Sequence, residues 1–388
     1  MELSSTDTPI LIYDRIEDNR RKTRWLLAAL VIVSIPVFLF ITYIVTSYVR
    51  LMLFTEAASS SASGVVQSIG ISTGIAVLLL GIAAEFLYQY SSRLVLRLTG
   101  ARPLDPMEEP ALVRTVENLC IGAGLPEPQL AIVESRATNI YSTGLEPDKS
   151  TLVVTSGLLE ALEGRELEGV VAQELSQIGN GDVHLGTVLA TVMTIMFLPY
   201  LIGAHMFKSL LRDRGACGCL IFPLLLIFFI SVVTSVIGVA MPLEIPDPAA
   251  RLLFKLVMFL PLYAFLIAPA IGYLLRSAVS RESEFLADAD AVLLTRYPPG
   301  LAQALAKIAV PGNAFIATQP SIAHLWIVDP RKPKATPPTR LFATHPPIRE
   351  RIEALSRMGG STPEMLAAAE DAGHFYYYHT KSNEKSKN

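Results

Sequence analysis

Two kinds of apolar pattern alternate along this chain. In 25–49, 65–88, 185–206, 219–241 and 252–275 apolar residues run almost unbroken. A helix needs roughly 20 such residues to cross a hydrocarbon core, and each run is long enough. Elsewhere the pattern is periodic. Residues 107–122 predict an amphipathic helix ending at Gly122 or Gly124, and 129–135 (QLAIVES) predicts a strand. Residues 139–144 and 151–155 (TLVVT) predict a hairpin around Glu146-Pro147-Asp148. A helix starts over 156–162. Another covers 166–180, with Leu167, Val170, Val171, Leu175 and Ile178 at the i, i+3, i+4 spacing of a buried face. Residues 277–310 read as helical, 311–338 as a Pro-rich connector, and 347–358 (PIRERIEALSRM) as a charged amphipathic helix. The polar tail 381–388 reads as disordered. The fold class expected is α+β: a polytopic helical membrane protein with a mainly helical second part and a small β-sheet.

Charge between the apolar runs sets a topology. Arg15, Arg20, Arg21, Lys22 and Arg24 precede the first run, while Arg93, Arg97 and Arg102 follow the second. A secretory signal would have a shorter apolar core. Basic residues stay on the cytoplasmic side, so 1–24 is a cytoplasmic segment and 25–89 a transmembrane hairpin. Lys208, Arg212 and Arg214 follow 185–206, whereas Glu244 and Asp247, with only Arg251, separate the last two runs. That pattern fits 185–206 as a re-entrant or buried helix, broken at Pro199, and 219–241 and 252–275 as true spans. Residues 90–184 and 277–380 then form two parts of one cytoplasmic domain, divided by the membrane region 185–276.

Composition agrees with that division. Of 388 residues, 51% are hydrophobic and 17% charged, and mean hydropathy is +0.44. Soluble domains average about 25% charged residues. Lys plus Arg is 32 and Asp plus Glu is 35, a net charge of −3. Such a balance offers no basic field for a polyanion, so nucleic-acid binding is excluded as the main function. Three cysteines make no disulfide framework. Cys217 and Cys219 read as small interfacial residues, Cys120 as core, and 374–379 (HFYYYH) as packing or a membrane-surface anchor.

The chemically informative segment is Gln173-Glu174-Leu175-Ser176-Gln177, followed by Asn180 and Asp182. Positions 173 and 177 are i and i+4, so they share one helix face, and Glu174 stands about 100° round the same turn. In a zinc protease, His at both outer positions binds the metal and the intervening Glu activates water. Here both are Gln. The surrounding sequence resembles the HtpX-type membrane zinc metalloproteases, whose family includes the CAAX prenyl proteases. The resemblance lies in 152–159 (LVVTSGLL), 166–172 (ELEGVVA), 280–289 (SRESEFLADA) and Thr344-His345-Pro346-Pro347, and it covers nearly all of 100–358.

That resemblance implies a zincin-like domain that cleaves membrane proteins in quality control, in a bacterial plasma membrane with the protease domain cytoplasmic. It implies Glu174 as general base and Glu284 as third zinc ligand, with Gln173 and Gln177 on the other two ligand positions. Asp288, Asn180, Asp182 and His345 become supporting residues. Asn139, Ile140, Tyr141, Ser142, Thr143 and Gly144 become the strand beside the substrate. The partners implied are the lipid bilayer and unfolded or membrane polypeptides. A carboxamide oxygen is a poor replacement for imidazole at zinc. Zinc binding is therefore expected to be lost or very weak, and the chain inactive. Without the metal, Glu174 and Glu284 are expected to bond polar neighbours such as Gln173 and Gln177. His184 is seven residues past Gln177, a rise of about 10.5 Å, too far to join Glu284; His345 is the candidate for a recruited ligand. The alternatives are an active protease using His345 and a pseudoprotease adaptor that binds polypeptides without cleaving them.

Overall fold

The computed structural model describes residues 62–194, 281–310, 321–328, 345–359 and 362–368, with isolated positions at 21, 25, 28, 370 and 371. The expected spans 25–49, 219–241 and 252–275, the second half of 185–206, Cys217, Cys219, the segment 374–379 and the tail 381–388 lie outside the described residues. The chain divides into two units: 1–24, 90–191 and 275–388 form one, and 25–89 with 192–274 form the other.

The first unit is built on a four-stranded sheet. Its strands are β1 (Arg102–Pro103), β2 (Gln129–Val133), β3 (Ile140–Thr143) and β4 (Thr151–Thr155), in the spatial order β1-β2-β4-β3. β2 and β4 are parallel, and β3 and β4 form the expected antiparallel hairpin with Ile140 opposite Val154 and Thr143 opposite Thr151. Both sheet faces are covered, which is why TLVVT is apolar without strict alternation. Side chains divide by parity. Ile132, Ile140, Leu152 and Val154 enter one core cluster, while Ala131, Val133, Tyr141 and Val153 enter the other.

The end of helix α1 (Ala62–Thr99) supplies Val95 to the second cluster. Helices α2 (Pro110–Ala123), α3 (Ser156–Ala161), α4 (Arg165–Gly179), α5 (Arg281–Thr295), α6 (Pro298–Ile308) and α7 (Ile348–Gly359) belong to the first cluster's side. α4 lies centrally, against α2, α5, α6 and β3. Its approach to α6 is close enough to require glycine. A Cβ on Gly169 would lie 2.7 Å from the Leu301 nitrogen, and one on Gly300 would lie 2.4 Å from the Arg165 carbonyl.

Several boundaries differ from the sequence reading. α2 starts at Pro110 rather than 107, because the Asp105 carboxylate accepts from the Met107 amide at 3.0 Å and holds the preceding residues in a turn. It ends where Gly124 adopts φ 65°, a left-handed cap that glycine adopts freely. β2 stops at Val133, and β1 was not foreseen. The largest correction concerns 321–328, expected as part of a connector. Ile322, Ala323, Leu325, Trp326 and Ile327 are all buried, and the Ile327 amide donates to the Ile140 carbonyl at 2.9 Å. The prolines of 311–338 mark its surroundings, whereas the apolar run inside it obeys the usual burial drive.

α1 exposes Ile71, Ile75, Val77, Leu78, Ile82 and Phe86. Over the described residues alone, no helix is long and apolar enough to cross a membrane. Residues 182–191 are helical and largely buried.

Candidate active site

α4 delivers two neighbouring side chains into the interior. Its stripe Leu167, Val170, Val171, Leu175 and Ile178 packs in the core, and that packing carries Gln173 and Glu174 down to zero exposure. Ser142 shares Ile140's parity on β3 and so faces α4. Its hydroxyl donates to Glu174 Oε2 at 2.7 Å. Glu174 Oε1 has no hydrogen-bond partner among the described residues. Burial pushes the Glu174 carboxyl up to about 7, against the pull of the Ser142 bond and Arg351. Gln173 is stranger still, since both amide atoms are buried and neither has a hydrogen-bond partner among the described residues. Gln177, one turn on, is half-buried.

α5 supplies Glu284 and, four residues on, Asp288. α7 supplies Arg351, whose side chain has zero exposure. Arg351 forks onto Asp288, Nε to Oδ2 at 2.8 Å and Nη2 to Oδ1 at 2.6 Å. Its Nη1 donates both to Glu284 Oε2 and to the Ile327 carbonyl, each at 3.0 Å. His345 Nδ1 closes on Glu284 Oε1. Burial acts to raise the Glu284 carboxyl, but His345 and Arg351 more than offset it and leave it below its ordinary range. Burial also opposes the Arg351 charge, and Asp288 and Glu284 outweigh it, so the guanidinium stays protonated.

The structure thus brings Glu174, Glu284, Asp288 and His345 into one electrostatic neighbourhood, with Gln173 on the same helix turn. Both glutamates bond polar neighbours, but these are not the glutamines named as examples: Glu174 bonds Ser142, and Glu284 bonds His345 and Arg351. Asp288 is linked to Glu284 by hydrogen bonds through Arg351. Asn180 caps α4 and donates to Asp290 on α5 at 2.7 Å, while Asp182 is half-buried.

Asn139, β3 and the adjoining Gly144 are all buried. Asn139 Nδ2 donates to the Val328 carbonyl at 2.8 Å, Tyr141 makes an isolated antiparallel bridge with Trp326, and the Gly144 amide donates to Thr187 Oγ1 at 3.0 Å. A cavity of about 140 Å³ lies past Gly144, lined by Leu145, Ile178, Val183 and His184, with neither Glu174 nor Glu284 in its wall.

Sequence reasoning missed Arg351. Its signal was present: Ile348, Ile352 and Leu355 mark the apolar stripe of α7, and Arg351 stands on it. A charge on a buried stripe demands a buried partner. Among the described residues, no three His, Cys, Asp or Glu side chains are grouped to hold a metal ion.

Comparison with known proteins places the chain in a family. Residues 106–359 match the family described as Peptidase family M48. A protease HtpX homolog from Dictyoglomus turgidum is 34% identical over 355 residues, covering 90% of this chain and 96% of the relative. One from Dictyoglomus thermophilum is 31% identical over 353 residues, with the same coverage. One from Tropheryma whipplei strain Twist is 35% identical over 273 residues, covering 70% of this chain and 80% of the relative. No solved structure matches the chain.

Proposed function

This chain belongs to peptidase family M48, in its HtpX-like branch, and we propose that it is a membrane-embedded member whose zinc site is disabled. The observation that carries this reading is Gln173: wholly buried, beside the general-base position, with both amide atoms unpartnered among the described residues. Zinc favours imidazole nitrogen and thiolate. The donors here are two neutral carboxamides and one carboxylate, Glu284, which already bonds His345 and Arg351. That donor set does not fit zinc. Losing a mere supporting partner typically costs about 10–100-fold in metal affinity, and losing two direct ligands costs more.

Bound zinc would lower the pKa of its water from about 15.7 to about 7. At about 1.36 kcal/mol per unit, that is roughly 12 kcal/mol of activation that Glu174 cannot replace. The chain as written therefore does not hydrolyse peptides by its family's route. Its partners remain the bilayer, through the apolar runs and the exposed apolar face of α1, and unfolded or membrane polypeptides. The adaptor reading shares those partners and differs only in lacking a recoverable active site.

The discriminating experiment compares this chain with the Gln173→His/Gln177→His double revertant for cleavage of an unfolded membrane protein in detergent. The reading expects no cleavage here and zinc-dependent cleavage in the revertant. A revertant that binds zinc and still cleaves nothing would favour the adaptor. Cleavage by the unaltered chain would favour a recruited ligand, for which His345 is already in place on Glu284.

A further inference from the structure

Arg351 is not among the residues that the family resemblance assigns, yet its wholly buried side chain makes four hydrogen bonds. A guanidinium withdrawn wholly from water must be compensated by hydrogen bonds to charged or carbonyl acceptors. Asp288 takes two of its nitrogens in a fork and so fixes the plane of the group. Asp288 and Glu284 are i+4 and i on α5, stacked on one face. Once the fork is made, the remaining nitrogen, Nη1, lies between Glu284 Oε2 and the Ile327 carbonyl, 3.0 Å from each. On its other side Ile327 donates its amide to Ile140 on β3, two residues from the Ser142 that holds Glu174.

We infer that Arg351 is a positioning residue, which sets the Glu284 carboxylate and the 321–328 segment on β3 in a single arrangement. Both carboxylates of the site thereby refer to one strand: Glu174 through Ser142, and Glu284 through Arg351, Ile327 and Ile140. Lysine would keep the charge but lose this geometry, since a single ammonium nitrogen cannot fork onto Asp288 and also bridge Glu284 and Ile327.

The test uses Arg351→Lys in the full chain, with Lys307→Met as a control that breaks another partly buried ion pair, to Glu166. Amide hydrogen exchange in detergent is the first readout. Exchange at 321–328 and 140–143 should accelerate at least about tenfold in Arg351→Lys, with 110–123 unchanged and no such local effect in the control. Uniform acceleration, or none, overturns the inference, because an ordinary ion pair would do no more.

A second arm depends on the proposed function. In the Gln173→His/Gln177→His revertant loaded with Co²⁺, Arg351→Lys should weaken binding by about 10–100-fold and shift the visible absorption bands. Unchanged affinity and bands in a revertant that does bind cobalt would overturn the positioning role at Glu284. A revertant that binds no cobalt counts against the proposed function instead, and the exchange result still decides the role of Arg351.

Discussion

Gln173 illustrates what one side chain costs when its partner is missing. A buried amide without hydrogen bonds is disfavoured by about 1–3 kcal/mol on mutational scales. Gln173→Leu keeps the volume and removes that penalty, so it should raise the thermal midpoint in detergent; a lower midpoint would show that the amide has a partner in solution. Glu174 makes a second prediction. Its carboxyl titrates near 4.5 when unfolded and near 7 when folded, so the folded state prefers the protonated form. That preference is fully present below about pH 4.5 and is lost as pH rises through about 7. The shift corresponds to roughly 3 kcal/mol. Glu174→Gln should therefore flatten the fall in thermal midpoint between pH 5 and 8; an unchanged pH profile would mean that Glu174 ionises freely. These positions were legible because motif spacing names them. For Arg351 the α7 stripe encodes the burial but not the role, since that role depends on Asp288, Glu284 and Ile327 meeting from two other segments, and no local pattern encodes that meeting.

Among the elements, α4 does most to place the site, and its position depends on the glycine contact with α6. Gly169→Ala would put a methyl against Leu301 backbone atoms at 2.7 and 2.9 Å. The better helix propensity of alanine, about 1 kcal/mol, is opposed by overpacking of about 1–3 kcal/mol, and because backbone cannot rotate aside we expect net destabilisation. A thermal midpoint at or above that of the parent would contradict the close approach. The long periodic runs gave α4, α7 and the β3–β4 hairpin correctly, because their patterns reflect which face is buried. The pairing of 321–328 with β3 was hidden by its sequence distance from β3 and by the prolines around it. Two-residue β1 carries too short a pattern to read at all.

For the whole molecule, the proposed function requires a membrane-embedded M48 chain whose site lacks imidazole ligands. The exposed Ile71, Ile75, Leu78, Ile82 and Phe86 of α1 are better accommodated by lipid than by water. The protein should stay with the membrane pellet after alkaline carbonate extraction and be released by detergent; release by carbonate alone would refute the embedded reading. A zinc count per chain decides whether the metal site is disabled. In the detergent-purified protein as sequenced the account predicts a ratio near zero, and in the Gln173→His/Gln177→His revertant a ratio near one. A ratio near one in the unaltered chain would contradict it and direct attention to His345 as the ligand that replaced them.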